Sequence, residues 1–200
     1  LGRLHHRPEH GPADGTRQVA FTGELYIEHD DFMAEPPPKF YRLSVGREVR
    51  LRGAFFVTCT GFEVDDAGNV VEIQATYDPA TRGGNAPDGR KVKSTMHWVS
   101  AGHAVPITVA LYERLFTAAV PGEATDDPFD DVNRDSRELL IGCQGEIAVA
   151  GTMSGEVVQF ERLGYFAVDP DSRQGAPVFN RTVTLKDSWA KIAGQSEGRS

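Results

Sequence analysis

Two arginines spaced two residues apart are the side chains most clearly suited to binding chemistry in this sequence. Arg50 and Arg52 alternate with the apolar residues Val49 and Leu51. In a β-strand this pattern places both arginines on one face, about 7 Å apart. A guanidinium group can donate two parallel hydrogen bonds, which suits base edges and phosphate oxygens. The pattern alone slightly favours the alternative of an exposed edge strand that uses arginine to prevent aggregation.

Aromatic and amide side chains extend this binding chemistry. Phe40 and Tyr41, shortly before the arginines, offer flat faces on which unpaired bases can stack. A second polar set consists of Gln159, Glu161 and Arg162, and a continuous strand would place Gln159 and Glu161 on one face. Glutamine can donate to and accept from a base edge, and arginine can bind a phosphate. A core strand with a polar outer face explains this second set equally well.

Enzyme signatures are absent from the sequence. It contains no glycine-rich phosphate loop, no zinc-protease helix motif and no hydrolase nucleophile motif. The histidines His5, His6 and His10 lie in a polar stretch and are interpreted as part of a solvated tail rather than as metal ligands. A hydrolase would need Asp78 or Asp88 to converge with another acid in a cleft, and nothing in the sequence supports this. We therefore expect no catalysis by this chain.

The elements that must position these residues are predicted to be strands. Period-two alternation or short apolar runs predict strands at 18–27, 47–57, 70–77, 92–99, 106–115, 138–141, 146–150, 157–168 and 178–185. Residues 65–69 predict a hairpin turn in which Gly68 and Asn69 tolerate positive φ. Helical patterning is limited to about one turn at 29–33 and at 100–104. The sequence therefore predicts an all-β barrel or sandwich.

Charge and composition set further limits. The chain of 200 residues is 40% hydrophobic with a net charge of −8, but its bases concentrate at 36–56 and 82–93 and its acids at 123–138. The local field matters more than the total charge, so a nucleic-acid partner stays open. Cys59 and Cys143 form no C-x-x-C motif, which favours a reduced, cytoplasmic setting. No apolar run approaches the ~18 residues of a membrane span, and we expect no membrane association.

A set of ordered motifs resembles one known family. The matching stretches are RQVAFTGELYIE at 17–28, GREVRLR at 46–52, DGRKVK at 88–93, HWVS at 97–100, LYERLF at 111–116, VQFERLGYF at 158–166, PVFNRTV at 177–183 and WAK at 189–191. In this order they resemble the C-terminal anticodon-binding region of glutaminyl-tRNA synthetases. The resemblance spans residues 16–191.

The resemblance implies a fold of two small antiparallel β-barrels, a proximal and a distal one. Residues 17–35 plus 117–192 would form the proximal barrel, and residues 36–116 the distal barrel inserted in it. The acidic, proline-containing stretch 121–136 marks a boundary between the two β units. Residues 1–16 are expected to form a polar linker, and residues 193–200 a flexible tail.

The resemblance also implies the RNA contacts. Arg50 and Arg52 would meet the first anticodon base, and Arg42 the third base, a guanine. The group around the central uridine would be Gln159, Glu161 and Arg162, with Lys39 and Lys186 as further RNA contacts. The segment 36–41 departs from the family pattern, lysine replaces an arginine at 186, and one central-base arginine lies upstream of this chain. These departures leave the central-base pocket incomplete.

The parent enzyme implied by the resemblance is a class I ligase that joins glutamine to its tRNA using ATP with magnesium. The motifs of its catalytic domain do not occur here, so the chain alone should be inactive and should need no cofactor. Its expected partners are the tRNA(Gln) anticodon loop and the catalytic domain of the same polypeptide, and we expect it to be a monomer. The alternative is a free-standing RNA-binding β-barrel protein related to the ribosomal proteins that bind 5S rRNA.

Overall fold

The architecture is entirely β. The structure, a computed structural model, describes the backbone of residues 2–5 and 16, and all atoms of residues 17–83 and 85–185. Every regular element in this part of the chain is a β-strand or a 3-10 helix of at most five residues. This confirms the predicted all-β class. Nothing helical among these residues has the length and apolarity that a membrane span requires.

The chain divides into two compact units between His103 and Ala104. The strands of the first unit are β1 Gly2–His5, β2 Thr16–Val19, β3 Leu25–Tyr26, β4 Glu48–Leu51, β5 Phe56–Val64, β6 Val70–Asp78, β7 Thr95–Met96 and β8 Val99–Ser100. The main sheet has the order β6-β5-β4-β7, and β1-β2 and β3-β8 form small two-stranded sheets. All of these pairs are antiparallel except β4 with β7, which is parallel.

Strand β4 is an inner strand of the main sheet. Arg50 pairs with Phe56 on one side and with Thr95 on the other. Val49 and Leu51 are buried, while Glu48 and Arg50 are half-buried on the opposite face, as the period-two pattern predicts. The predicted hairpin turn between β5 and β6 is confirmed. Gly68 alone in this turn has positive φ, and Asp65 accepts the backbone N–H of Asn69.

The core of the first unit is aliphatic under the sheet and aromatic at one end. Val49, Leu51 and Met96 are fully buried, and they pack with Trp98. At the aromatic end the ring of Phe21 lies 4.9 Å from that of Phe55, 5.6 Å from Tyr77 and 5.5 Å from Trp98, between ring centroids. These contacts join segments that are far apart in sequence, so β4 and the segment before Trp98 lie on a firmly packed base.

The second unit carries one five-stranded sheet. Its strands are β9 Val105–Tyr112, β10 Arg137–Gly145, β11 Val157–Phe160, β12 Gly164–Val168 and β13 Val178–Thr184, in the order β10-β9-β13-β12-β11. Only β9 with β13 is parallel. The core contains Val109, Phe166 and Phe179. The strand predicted at 146–150 is wrong: Ile147–Gly151 is a 3-10 helix, in which Val149 alone is buried.

Both larger sheets are open along the described residues, since their outermost strands do not pair with each other. The division at residues 103 and 104 differs from the boundary predicted at 121–136, which lies between β9 and β10 within the second unit. Val19 and Phe32 pack into the core of the first unit. The predicted assignment of residues 17–35 plus 117–192 to one barrel and 36–116 to the other remains a prediction.

Candidate nucleic-acid interface

Arg50 is held by its strand and by an aromatic ring. Its guanidinium carbon lies 5.3 Å from the ring centroid of Phe56, a fully buried residue on the neighbouring strand β5. Its Nε is buried and finds no hydrogen-bond acceptor among the described residues. Buried polar groups in folded proteins are nearly always hydrogen-bonded. The guanidinium of Arg50 therefore keeps hydrogen-bonding capacity that the described residues do not use.

The sequence pattern predicted that Arg52 lies on the same strand face as Arg50. This prediction is wrong. Strand β4 ends at Leu51, and Arg52 is exposed in the turn that follows, next to Gly53 with φ +65°. The turn forms because the N–H of Ala54 donates to the carbonyl of Leu51 at 3.0 Å. The backbone of Arg52 is nevertheless fixed, since its N–H donates to Met96 and its carbonyl accepts from the Trp98 indole.

Arg42 is engaged within the first unit. Its Nε lies 3.5 Å from Oδ1 of Asp31, and its Nη1 donates to the carbonyl of Asp30 at 3.3 Å. The Arg42 side chain is 14% exposed and the Asp31 side chain 0%. A buried carboxylate needs a cationic partner, so Arg42 stabilises the short 3-10 helix that carries Asp31. Its predicted role at the third anticodon base remains a prediction.

The two aromatic residues before Arg42 have different environments. Phe40 is 1% exposed and belongs to the interior, so the prediction that it stacks on bases is wrong. Tyr41 is 45% exposed. Lys39 precedes them, exposed, with φ +72°. The Nζ atom of Lys93 lies 4.5 Å from the centroid of the Tyr41 ring.

Arg90 forms the main ionic cluster of the first unit. Its Nε and Nη2 donate to both carboxylate oxygens of Glu48, at 3.0 and 3.1 Å, its Nη1 donates to Asp88 at 2.7 Å, and its Nη2 also donates to Asp78. The side-chain hydrogen bond from Arg90 is the largest cause of a lowered pKa at Asp78. At Asp88 the largest cause is the backbone N–H of Arg90, followed by its side chain.

This cluster contradicts the hypothesis that Asp78 or Asp88 acts as a hydrolytic carboxylate. Asp78 and Asp88 do converge, contrary to expectation, but they converge on Arg90. A hydrolytic general acid needs a raised pKa, whereas both of these pKa values are lowered. The carboxylates are therefore neutralising partners of an arginine. Among the described residues, no group of three or more His, Cys, Asp or Glu side chains could hold a metal ion.

The segment from Arg90 to Thr95 runs directly beside Arg50. The backbone N–H of Arg50 donates to the carbonyl of Ser94 at 3.0 Å, and Thr95 pairs with Arg50 in the sheet. Lys93 is thereby placed between Arg50 and Tyr41. Sequence reasoning missed Lys93 as a site residue because the parallel pairing of β4 with β7 joins segments more than 40 residues apart. The motif DGRKVK and the concentration of bases at 82–93 were the available signals.

The second unit carries the other predicted group. Gln159 is exposed on β11, but that strand ends at Phe160, so Glu161 does not continue its face. Glu161 and Arg162 lie in the tight turn to β12, closed by the Leu163 N–H donating to the Phe160 carbonyl at 3.0 Å. Arg162 has φ +66°. Lys186 lies outside the described residues.

Comparison with known proteins places these features in a family. Two family models match residues 4–78 and 95–169, and both are described as "tRNA synthetases class I (E and Q), anti-codon binding domain". The chain is 55% identical over 182 residues to a glutamine–tRNA ligase of Nitrobacter winogradskyi, and 47% identical over 185 residues to one of Rhodopirellula baltica. A glutamine–tRNA ligase of Clostridium kluyveri is 44% identical over 189 residues.

These similarities extend over nearly the whole chain. They cover 91%, 92% and 94% of it, but 32%, 31% and 34% of the three relatives in the same order. The chain therefore spans about a third of the length of the relatives it matches. It belongs to the family of anticodon-binding domains of the class I tRNA synthetases for glutamate and glutamine.

Proposed function

We propose that this chain binds the anticodon loop of a glutamine tRNA as the recognition part of a glutamine–tRNA ligase. The observation that carries the proposal is the half-buried Arg50, whose buried Nε has no acceptor among the described residues. A base edge or phosphate oxygen would add acceptors for the guanidinium of this half-buried side chain. The relatives support the choice of glutamine, since those compared above are glutamine–tRNA ligases.

The proposed RNA contacts are divided between the two units. Arg50 and Arg52 would contact the first anticodon base, with Lys39 as a phosphate contact. Arg42 would contact the third base with the part of its guanidinium that Asp31 leaves accessible. In the second unit, the central uridine would be met by Gln159, Glu161 and Arg162, and Lys186 would add a single charge.

The parent protein would supply the chemistry. A class I synthetase uses ATP, with magnesium, to activate glutamine before it is joined to tRNA. The catalytic domain would belong to the same polypeptide, and this chain alone would catalyse nothing. We further propose that the chain acts as a monomer and in the cytoplasm.

Titration of an anticodon stem-loop tests the proposal. The chain should bind a stem-loop with a YUG anticodon (Y for either pyrimidine) more tightly than one with a different first base. Replacing Arg50 or Arg52 with glutamine should weaken binding by about 1–3 kcal/mol and reduce this discrimination, because a bidentate donor is lost. The salt concentration must be low and stated, since phosphate contacts are salt-dependent.

Arg134→Gln is the matched control. Arg134 is exposed in the second unit beside Asp135, so its loss should leave affinity and discrimination unchanged. If Arg50→Gln weakens binding equally for every anticodon sequence, Arg50 is a phosphate contact and not a base reader. If a 5S rRNA fragment binds better than the stem-loop, the ribosomal alternative replaces the synthetase proposal.

A further inference from the structure

Tyr41 carries an exposed ring on an anchored segment of the backbone. Its neighbour Phe40 is buried, Leu43 is buried two residues later, and Arg42 between them is paired with Asp31. The Leu43 N–H also donates to the carbonyl of Asp31 at 2.8 Å, and the Leu43 carbonyl accepts from the N–H of Met33. The backbone on the C-terminal side of Tyr41 is therefore anchored while its ring faces outward. A flat exposed ring on a rigid support is the geometry on which an unpaired base can stack.

The Tyr41 ring is covered by a weakly held cation. Lys93 is exposed, and its ammonium lies 4.5 Å from the ring centroid. An ammonium on an exposed ring is held only weakly, because water competes for the charge. The main chain of Lys93, by contrast, is fixed, because it lies between Arg90 in the ionic cluster and Thr95, which pairs with Arg50. The charged end can therefore move while its anchor point stays beside Arg50.

We propose that Tyr41 is the stacking platform for one unpaired nucleobase of the bound RNA loop. In the free protein the Lys93 ammonium occupies this platform. On binding, the base replaces the ammonium on the ring, and Lys93 moves to a phosphate of the same strand. This inference rests on the proposed function, and it separates two tasks: Tyr41 and Lys93 supply affinity for any sequence, whereas Arg50 supplies discrimination.

Photocrosslinking and titration of the 200-residue chain test the platform. The probe is the anticodon stem-loop with a 5-bromopyrimidine placed at each loop position in turn. One position should crosslink to Tyr41, as identified by mass spectrometry of the cleaved peptide. Tyr41→Leu should abolish that crosslink and weaken binding roughly tenfold for every anticodon sequence, because stacking is sequence-tolerant. Tyr41→Phe should restore the affinity lost in Tyr41→Leu, since the ring and not the hydroxyl is used.

Two further variants sharpen the test. Tyr26→Leu is the matched control, since Tyr26 in the same unit is 48% exposed on β3, and it should bind like the unchanged chain. Lys93→Met should retain the Tyr41 crosslink but reduce the slope of log K against log salt by about 0.7, the loss of one phosphate contact on a single strand.

The outcomes separate this inference from the proposed function. If Tyr41→Leu binds like the unchanged chain while Arg50→Gln loses discrimination, the platform is wrong and the proposed function stands. A second outcome is that the chain shows no preference for the YUG stem-loop but Tyr41→Leu still weakens binding. In that case the stacking platform stands and the assignment to glutamine tRNA is wrong. Equal losses in Tyr41→Leu and Tyr41→Phe would overturn the platform, and absence of any stem-loop binding would overturn both.

Discussion

Two arginines of the first unit show how neighbours decide the role of one side-chain type. Arg50 and Arg90 both lie against the ring of Phe56, at 5.3 and 5.4 Å from its centroid. Three carboxylates neutralise Arg90, whereas Nε of Arg50 has no acceptor among the described residues. The same guanidinium is a structural cross-link at one position and a candidate reader at the other. The difference is the local supply of acceptors.

Gly164 is a residue whose lack of a side chain is required. A Cβ atom there would lie 2.2 Å from the carbonyl oxygen of Val183, a backbone atom of the paired strand β13. Gly164→Ala should therefore force β12 and β13 apart and lower the free energy of unfolding of the second unit by about 2–4 kcal/mol. Urea unfolding followed by circular dichroism measures the change.

A second glycine of the same unit provides the control for Gly164→Ala. A Cβ atom at Gly151 would have no heavy atom within 4 Å and its φ is not positive. Gly151→Ala should leave the urea midpoint nearly unchanged. If both variants unfold at the same urea concentration, the close approach of β12 to β13 does not constrain residue 164.

At the scale of elements, Arg90 joins three segments of the first unit. Glu48 lies on β4, Asp78 ends β6, and Asp88 lies in the segment between β6 and β7. The cluster thus holds the segment that carries Lys93 against the sheet that carries Arg50. Asp78 also accepts the N–H of Ala80 and caps the 3-10 helix Pro79–Thr81.

The cluster predicts how stability depends on pH. The pKa values of Asp78 and Asp88 lie below the ordinary 3.8 in the folded chain, so folding favours their ionised forms. Their contribution to stability is complete above pH 3.8 and is lost as the pH falls through the lowered pKa values. The stability difference between the unchanged chain and Arg90→Met should be largest near neutral pH and should shrink below pH 3.8.

Urea unfolding of both proteins at pH 3 and pH 6, followed by tryptophan fluorescence, checks this dependence. Lys91→Met is the matched control, because Lys91 is the exposed basic neighbour of Arg90 and has no part in the cluster. A stability difference for Arg90→Met that stays constant over this pH range would show that packing, and not ion pairing, is what Arg90 contributes.

At the scale of the whole molecule, net charge and local charge have opposite signs. The chain carries −8, yet the first unit presents exposed bases such as Lys39, Arg52 and Lys93, in the two basic stretches 36–56 and 82–93. Counterion release depends on how many phosphates are contacted, and not on net charge. Stem-loop affinity should therefore fall as salt rises, and Lys39→Gln should reduce the slope of log K against log salt by about 0.7.

Affinities measured at several salt concentrations give this slope directly. Arg134→Gln, remote from Arg50 in sequence and in the other unit, should leave the slope unchanged. A slope near zero for the unchanged chain would mean that no phosphate is contacted and that the exposed bases of the first unit do not face RNA.

The sequence by itself determined the all-β class, the β5–β6 hairpin and the family. Alternation and turn residues are local signals, and the ordered motifs at 17–28, 46–52 and 158–166 are specific. It also placed Arg50 on a strand face correctly, because a side-chain period of two is a property of the strand itself.

Only the tertiary structure decided which candidates share a surface. The parallel pairing of β4 with β7 sets Lys93 beside Arg50, and Glu48 meets Arg90 across 42 residues. Phe40 and Tyr41 are neighbours of the same type, yet burial separates an interior ring from a candidate stacking platform. Such long-range contacts depend on which strands pair and on how side chains pack in the core. The local sequence pattern contains no information on either. That is the physical reason why the pattern alone slightly favoured an exposed edge strand at Arg50, whereas the structure makes β4 an inner strand.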